Sequence, residues 1–411
     1  MINYESFQLD NGLKVIVHED HSSPMAVVNL LYKVGARDES PDKTGFAHLF
    51  EHLMFGGSKH VPSFDEPLQR VGGDNNAFTS NDITNYYITV PSVNLETAFW
   101  LESDRMLSLS FDPKVLEVQR SVVIEEFKQR YLNQPYGDIW LKLRPLAYEA
   151  HPYQWATIGK DIGHIERAHM DDVKHFFNKF YLPNNAVLVV AGDVTVDQVK
   201  QLSEKWFAGI PSGKSIERSL PVEPPQKAYK ELEVHADVPV EALYMTFHMP
   251  GRAGERYHTV DLLSDILGRG ASSRLYHELV EEQHIFNAVS GYVMGSIDPG
   301  LLVIQGKLAQ GVDPKEGEAA IWKLIDAFKT ESLAEKELDK VKNKAISSHV
   351  FSEMELLNRA MNLAYAEMLS NVELVNQEVE RIDRVSANGV MKAANQILTE
   401  QNASVLRYYS K

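Results

Sequence analysis

The sequence predicts an α+β protein made of two homologous domains, each with a mixed, mainly antiparallel sheet covered by helices. The chain has 411 residues, which is too long for one ordinary hydrophobic core. Short apolar strand patterns alternate with longer helical patterns. Segments of the first half also recur, in the same order, in the second half.

The first half supplies four strand patterns and four helical patterns. The strands are predicted at residues 13–18, 26–34, 86–90 and 186–191, and the helices at 44–55, 95–108, 113–131 and 171–180. The alternation then lapses into a proline-rich stretch that is typical of a linker. We therefore predict a first domain over residues 1–210, a linker over 211–233 and a second domain over 234–411.

Three pairs of segments suggest that the second domain is a copy of the first. Val173-Lys-His-Phe-Phe followed by Asn185 matches Val390-Met-Lys-Ala-Ala followed by Asn402, at an offset of 217 residues. Residues 115–126 match residues 337–348 at an offset of 222. The strand and helix around residues 35–44 also resemble those at 241–257. A period this long favours paired domains over a solenoid, whose repeats span about 20–50 residues.

Charge and composition exclude several functions. The formal net charge is −16, which argues against a nucleic-acid backbone or an anionic membrane surface as a partner. The chain has no cysteine, so any metal site must use His, Asp or Glu. No basic start precedes an apolar run, and no apolar stretch approaches the roughly 20 residues that span a bilayer. We expect a cytoplasmic protein, or a periplasmic one if a signal peptide has been removed.

The main functional motif is His48-Leu-Phe-Glu51-His52, within a predicted helix. Residues four apart share a helix face, so His48 and His52 can present two imidazoles to one zinc ion. Glu51 can lie beside the metal without binding it, where a general base for an attacking water is needed. The alternative is an ordinary helix with polar residues in solvent. The apolar neighbours of the motif favour a packed helix, in which buried polar groups need partners.

A catalytic zinc usually has three protein ligands and one open position. The helix predicted from Pro113 contains Glu117, Glu125 and Glu126 among many apolar residues. Its wide apolar surface predicts a buried helix, but the periodicity does not decide between Glu125 and Glu126 as the third ligand.

Several longer motifs carry a resemblance to a known family. The chain resembles the pitrilysin family of zinc metallopeptidases, the inverzincins, and is similar to bacterial relatives of the mitochondrial processing peptidase beta subunit. The motifs that carry this resemblance are Gly12-Leu-Lys-Val, Val34-Gly-Ala-Arg-Asp-Glu, Gly45-Phe-Ala-His-Leu-Phe-Glu-His-Leu-Met-Phe, Asn76-Ala-Phe-Thr, Arg120-Ser-Val-Val-Ile-Glu-Glu, Tyr181-Leu-Pro-Asn-Asn-Ala-Val-Leu-Val-Val and Gly270-Ala-Ser-Ser-Arg-Leu-Tyr.

The resemblance implies roles for individual residues. The family's third ligand lies six residues after the arginine of its helix, which selects Glu126, with Glu125 as the fallback. The residue before that arginine is often a glutamate that supports the site, and here it is Gln119, which keeps hydrogen bonding but loses the charge. Asn76 and Ala77 resemble the edge that binds substrate through main-chain hydrogen bonds. A polar turn leading into the next strand is compatible with that role.

The second half departs from the family pattern. Relatives that complete the site with this half often carry Arg and, seven residues later, Tyr, where this chain has Val280 and Asn287. Neither residue stabilises an oxyanion as Arg and Tyr do. We expect a zinc endopeptidase, with one Zn²⁺ per chain, that cuts peptides or unfolded polypeptides in a chamber formed with a homologous partner supplying Arg and Tyr. The alternatives are a homodimer, lineage drift at these positions, and a non-catalytic scaffold or core subunit.

Overall fold

A computed structural model describes all residues, 1–411, and divides into two compact units. The first unit contains residues 1–129, 155–220 and 351–376, and the second contains residues 130–154, 221–350 and 377–411. None of its helices combines the length and apolar character needed to cross a membrane.

Eleven strands and fifteen helices build the two units. The strands are β1 (Glu5–Gln8), β2 (Lys14–Glu19), β3 (Met25–Tyr32), β4 (Asp74–Thr79), β5 (Thr84–Pro91), β6 (Ala186–Gly192), β7 (Lys230–Ala236), β8 (Ala242–Met249), β9 (Phe286–Met294), β10 (Gly300–Leu308) and β11 (Ala403–Ser410). The helices are α1 (Phe46–Leu53), α2 (Asp65–Arg70), α3 (Leu95–Leu107), α4 (Pro113–Phe127), α5 (Ile139–Ala147), α6 (Ile162–Glu166), α7 (Met170–Phe180), α8 (Val196–Phe207), α9 (Tyr257–Gly268), α10 (Arg274–Tyr276), α11 (Pro314–Thr330), α12 (Glu335–Ser352), α13 (Leu356–Leu369), α14 (Leu374–Asp383) and α15 (Ala387–Ile397).

The first unit is built on a six-stranded sheet in the order β1-β2-β6-β3-β5-β4. Only β2 and β6 run parallel, and the other neighbours are antiparallel. The central strands β3 and β6 are buried along most of their length, whereas β4 is exposed at every second residue. β4 forms one open edge of the sheet, and β1 forms the other.

The second unit contains a five-stranded sheet in the order β7-β11-β8-β10-β9. Its first pair is parallel and its other pairs are antiparallel. This is the order and direction of β2-β6-β3-β5-β4 in the first unit. The predicted fold class, with two mixed and mainly antiparallel sheets covered by helices, is confirmed.

The two compact units are not continuous in sequence. Helix α13 packs on the first sheet, where Ala360, Leu363 and Ala364 join the core around Val27 and Val189. Helix α5 packs on the second sheet instead. The units therefore differ from the continuous stretches 1–210 and 234–411, because each sheet is covered in part by a helix from the other half of the chain. Residues 211–229 contain no helix or strand, but β7 begins inside the predicted linker.

The elements predicted in the first half are all present, with shifted ends. The predicted strands correspond to β2, β3, β5 and β6, and the predicted helices to α1, α3, α4 and α7. The largest difference is at the end of α4, where a π-helical turn spans Lys128–Leu132. In a π-helical turn the hydrogen bonds join residues five apart rather than four, so the regular α-helix ends before this turn.

Helix α1 starts at a backbone position that requires glycine. Gly45 has φ +88°, and a Cβ there would lie 2.7 Å from the carbonyl oxygen of Ile158. The side chain of Glu39 accepts hydrogen bonds from the backbone N–H of Gly45 at 2.9 Å and of Ala47 at 2.8 Å. Because the first N–H groups of a helix have no partner within it, these contacts fix where α1 begins.

Gly45→Ala should lower the free energy of unfolding by about 2 kcal/mol or more, since the left-handed backbone alone costs roughly 1–2 kcal/mol for a residue with a Cβ. Urea unfolding of the metal-free protein measures the change. Gly209→Ala is the matched control, because a Cβ there meets no atom within 4 Å. Equal stability of the two variants would show that the entry to α1 is not strained.

Candidate metal centre

Helix α1 presents two imidazoles on one face and buries apolar side chains on its remaining surface. Phe46, Ala47, Leu49, Phe50 and Leu53 are buried in the core of the first unit. His48 and His52 are half-buried, with ring centroids 4.8 Å apart and ring planes at 86°. The spacing of four residues places both rings on the side of α1 that the core leaves open.

Glu126 on α4 lies beside both imidazoles. Its Oε2 is 3.6 Å from the Nε2 of His48 and 3.6 Å from the Nε2 of His52. The neighbouring Glu125 is exposed and pairs with Lys128 at 2.8 Å. The structure therefore brings Glu126, and not Glu125, to the two histidines.

The three donor atoms fit a small cation with nitrogen and oxygen ligands. They all lie within 4.8 Å of one another. Ligands about 2.1 Å from a tetrahedral zinc ion are separated by about 3.4 Å, close to the 3.6 Å between each imidazole and the carboxylate. His48, His52 and Glu126 form the one such group among the 411 described residues.

Glu51 is next to these donors but is not one of them. Its Oε2 accepts a hydrogen bond of 2.6 Å from the hydroxyl of Thr79, the last residue of β4. Burial raises the pKa of the Glu51 carboxyl, and the Thr79 hydroxyl and the nearby His52 oppose that shift. The backbone N–H of Thr79 also interacts with the Glu51 carboxylate and opposes the shift in its pKa.

The open edge of β4 carries the two residues predicted to bind substrate. Asn76 is exposed and Ala77 is half-buried. The Oδ1 of Asn76 accepts a hydrogen bond of 2.8 Å from the backbone N–H of Ala77. In this structure, the N–H of Ala77 on the edge strand is therefore already hydrogen-bonded to the side chain of Asn76.

Gln119 lies on α4, seven residues before Glu126. Seven residues are about two turns, so the two side chains share a helix face. Gln119 is half-buried. Its predicted support of the ligands remains a prediction.

In the second unit, Val280 and Asn287 serve the fold. Val280 packs against the hydrophobic core of that unit. The side-chain amide of Asn287 donates a hydrogen bond of 2.8 Å to the carbonyl oxygen of Leu308. Neither side chain is a cationic or phenolic donor.

Two residues near the candidate site were not singled out from the sequence. Glu39 anchors the start of α1, and Thr79 binds Glu51. Thr79 closes the motif that begins at Asn76, so its position in that motif was a usable signal. Glu39 likewise closes the motif that begins at Val34, but nothing in the sequence indicated that its partners are main-chain groups of α1.

Family descriptions match both halves of the chain. "Insulinase (Peptidase family M16)" matches residues 14–141, which include all three candidate ligands and Glu51. "Peptidase M16 inactive domain" matches residues 168–345. The second match begins beyond the candidate metal centre.

Curated relatives are similar over large parts of the chain. Zinc protease PqqE of Helicobacter pylori is 33% identical over 345 residues, which cover 82% of this chain and 78% of that protein. Mitochondrial-processing peptidase subunit beta of Caenorhabditis elegans is 26% identical over 234 residues, which cover 56% of this chain and 49% of that subunit.

Solved structures share the fold. A protease from Helicobacter pylori matches 99% of this chain and 100% of its own, with a TM-score of 0.94 and 28% identity. Pitrilysin matches 99% of this chain with 45% of its own, at a TM-score of 0.76 and 20% identity. Taken with the relatives and the two matched halves, these findings show that the chain belongs to peptidase family M16, the pitrilysin family of zinc proteases.

Proposed function

We propose that this chain is a zinc-dependent endopeptidase that hydrolyses peptides or unfolded polypeptides. The observation that carries the proposal is the approach of His48 and His52 to one oxygen of Glu126, with Glu51 beside them as a separate carboxylate. The names of relatives such as zinc protease PqqE support the same chemistry.

His48, His52 and Glu126 would hold the zinc ion through two nitrogens and one oxygen. When bound there, zinc would act as a Lewis acid toward the oxygen of water or of the substrate carbonyl.

Glu51 acts as the general base and then as the general acid. It takes a proton from the attacking water while the water oxygen bonds to the carbonyl carbon of the substrate. It then gives that proton to the leaving nitrogen as the C–N bond breaks. A half-buried carboxylate with a raised pKa suits both steps, because it holds the proton between them.

The substrate would bind as an added strand along β4. The outer edge of β4 pairs with no strand of the sheet, and main-chain groups at such an edge bind an extended peptide. Asn76 and Ala77 would align that peptide, with the side chain of Asn76 turning away from the N–H of Ala77. Only an extended segment fits this mode, which favours peptides and unfolded chains over folded proteins.

A homologous partner chain would complete the site. Val280 and Asn287 are used by the fold of the second unit, and neither is the Arg or Tyr that the family resemblance implies as an oxyanion donor. Pitrilysin supports this part of the proposal, because the present chain matches only 45% of it. A second chain of this family would supply the missing half, with Arg and Tyr at the positions of Val280 and Asn287, and the two chains would enclose the substrate. A homodimer is the alternative assembly.

Purified protein should hold about one zinc ion per chain, and Glu126→Gln should weaken zinc binding far more than Glu125→Gln. The first variant removes the charge that lies between the two imidazoles, whereas the second changes an exposed pair with Lys128. Zinc titration with a competing chelator measures the two affinities. The reverse ranking would transfer the ligand role to Glu125.

Glu51→Gln should keep the zinc and lower peptide turnover by about 10²–10⁴, the usual contribution of general acid–base catalysis. Elemental analysis and the turnover of a fluorogenic peptide measure the two effects. His52→Ala should lose both zinc and turnover. Turnover near the wild-type rate in the Glu51→Gln protein contradicts the proposed base, while zinc binding without turnover in the wild type, even with a partner present, favours the scaffold role.

The isolated chain should be a poor peptidase, and a homologous partner with Arg and Tyr at the positions of Val280 and Asn287 should raise its rate about 10²–10³-fold, the typical effect of one oxyanion donor. Turnover is followed while the partner is titrated in. A partner variant that lacks Arg and Tyr is the control. Efficient hydrolysis by the isolated chain, unchanged by any partner, makes a self-sufficient homodimer the better assembly.

A further inference from the structure

We infer that Thr79 is a positioning residue that ties the orientation of Glu51 to the strand edge where the substrate would bind. The inference rests on the proposed endopeptidase function and assigns a new role at the same site. It concerns how the base is held in place, and it adds no group that touches the reacting atoms.

The contact between the two side chains is short and directed. The hydroxyl of Thr79 donates to Oε2 of Glu51 at 2.6 Å, a length typical of an O–H donor to an ionised carboxylate, about 2.5–2.7 Å. A carboxylate has two oxygens with lone pairs on each. The bond therefore holds the carboxylate through Oε2, and the backbone N–H of Thr79 adds a second interaction from the same residue.

Thr79 belongs to the strand whose main chain faces the open edge. The N–H of Ser80 donates to the carbonyl oxygen of Ile83 at 2.8 Å, inside the turn between β4 and β5. Inward and outward main-chain groups alternate along an antiparallel strand, so the N–H groups of Thr79 and Ala77 point to the open edge. The bond from Ala77 to the side chain of Asn76 agrees with this direction.

The residue that binds the base and the edge proposed to bind substrate thus belong to the same strand, β4. An added peptide would engage Ala77, two residues before Thr79, and would hold the end of β4 in place. Through its hydroxyl, Thr79 would then hold Glu51 at the position from which it can reach the attacking water. A general base must lie within hydrogen-bonding reach of the proton that it takes, so loose placement of Glu51 lowers the rate without changing the zinc ligands.

The competing explanation is that Thr79 only packs β4 against α1. Thr79→Val separates the two explanations, because valine keeps the β-branched shape and removes the donor. Thr79→Ser keeps the donor and loses the methyl group. Thr89→Val is the matched control, since Thr89 is a half-buried threonine on the neighbouring strand β5 and has no hydrogen bond to Glu51.

The experiment compares the wild type, Thr79→Val, Thr79→Ser and Thr89→Val as full-length zinc-loaded proteins, with the partner chain present if the wild type needs it. Thr79→Val should lower kcat by about 10–100-fold, less than the 10²–10⁴ lost with the base itself, while KM changes little. Thr79→Ser should restore most of kcat, and Thr89→Val should match the wild type.

Readouts that do not depend on turnover complete the test. Zinc content and the unfolding midpoint of the zinc-free protein should be the same for Thr79→Val and Thr89→Val, and so should the affinity of the zinc-free protein for a fluorescent peptide. In a Glu51→Gln background, Thr79→Val should cause no further loss of turnover, because residues that act as one unit are not additive.

The outcomes are distinguishable from failure of the proposed function. A Thr79→Val protein that turns over peptide as fast as Thr89→Val overturns the inference and leaves the endopeptidase intact. A Thr79→Val protein that loses zinc, or that binds the peptide more weakly with unchanged kcat, shows a structural role, which also overturns the inference. If the wild type and Thr89→Val both hold no zinc and cut no peptide with a partner present, the proposed function fails and the positioning role fails with it.

Discussion

The candidate site depends on how α1 is held, because two histidines one turn apart converge only if their helix cannot rotate or slide. Gly45 and Glu39 fix its first turn, and five buried apolar residues fix its rotation. Its far end is held by a close approach to α4, since a Cβ on Gly56 would lie 2.2 Å from the Cγ1 of Val115. That approach places Glu126, three turns further along α4, beside the imidazoles.

Three carboxylates around α1 have different partners and therefore different roles. Burial raises the pKa of both Glu39 and Glu51, and hydrogen-bond donors oppose the shift in each. The donors of Glu39 are backbone N–H groups of the helix, which use both of its oxygens and leave a structural anchor. Glu51 has one oxygen bound by a hydroxyl, and Glu126 has one oxygen directed between the imidazoles. The environment of each carboxylate, rather than its chemistry, distinguishes the helix anchor Glu39 from the proposed base Glu51 and the proposed ligand Glu126.

Local sequence patterns predicted much of the fold and the centre of the site. The apolar runs of β3 and β6 appear as central strands buried on both faces, and the period of α7 appears as a helix that buries one face and exposes the other. The spacing from His48 to His52 fixes a shared face before any tertiary contact forms. Choosing between Glu125 and Glu126 requires knowing how α4 is rotated relative to α1, and the local periodicity of the sequence does not give that rotation. The placement of α13 on the first sheet needs a contact across more than 160 residues, as between Ala360 and Val189. Thr79 and Glu39 were missed for the same reason, since their partners come from other elements.

The second unit shows how the same strand order is built without a group of candidate metal ligands. Helix α9 follows β8 as α1 follows β3, but unlike α1 it carries polar residues at fully buried positions. Its Asp265 pairs with Arg269 at 2.8 Å, and its His258 lies 3.5 Å from Glu378, which Arg252 binds at 2.6 Å. Burying a charge without a partner is costly. Arg252 and Arg269 supply positive charge beside the acidic groups around α9. Around α1 the corresponding groups are two imidazoles and a carboxylate. The same topology therefore surrounds α9 and α1 with different polar groups, and only the arrangement around α1 brings two imidazole nitrogens and a carboxylate oxygen within 4.8 Å of one another.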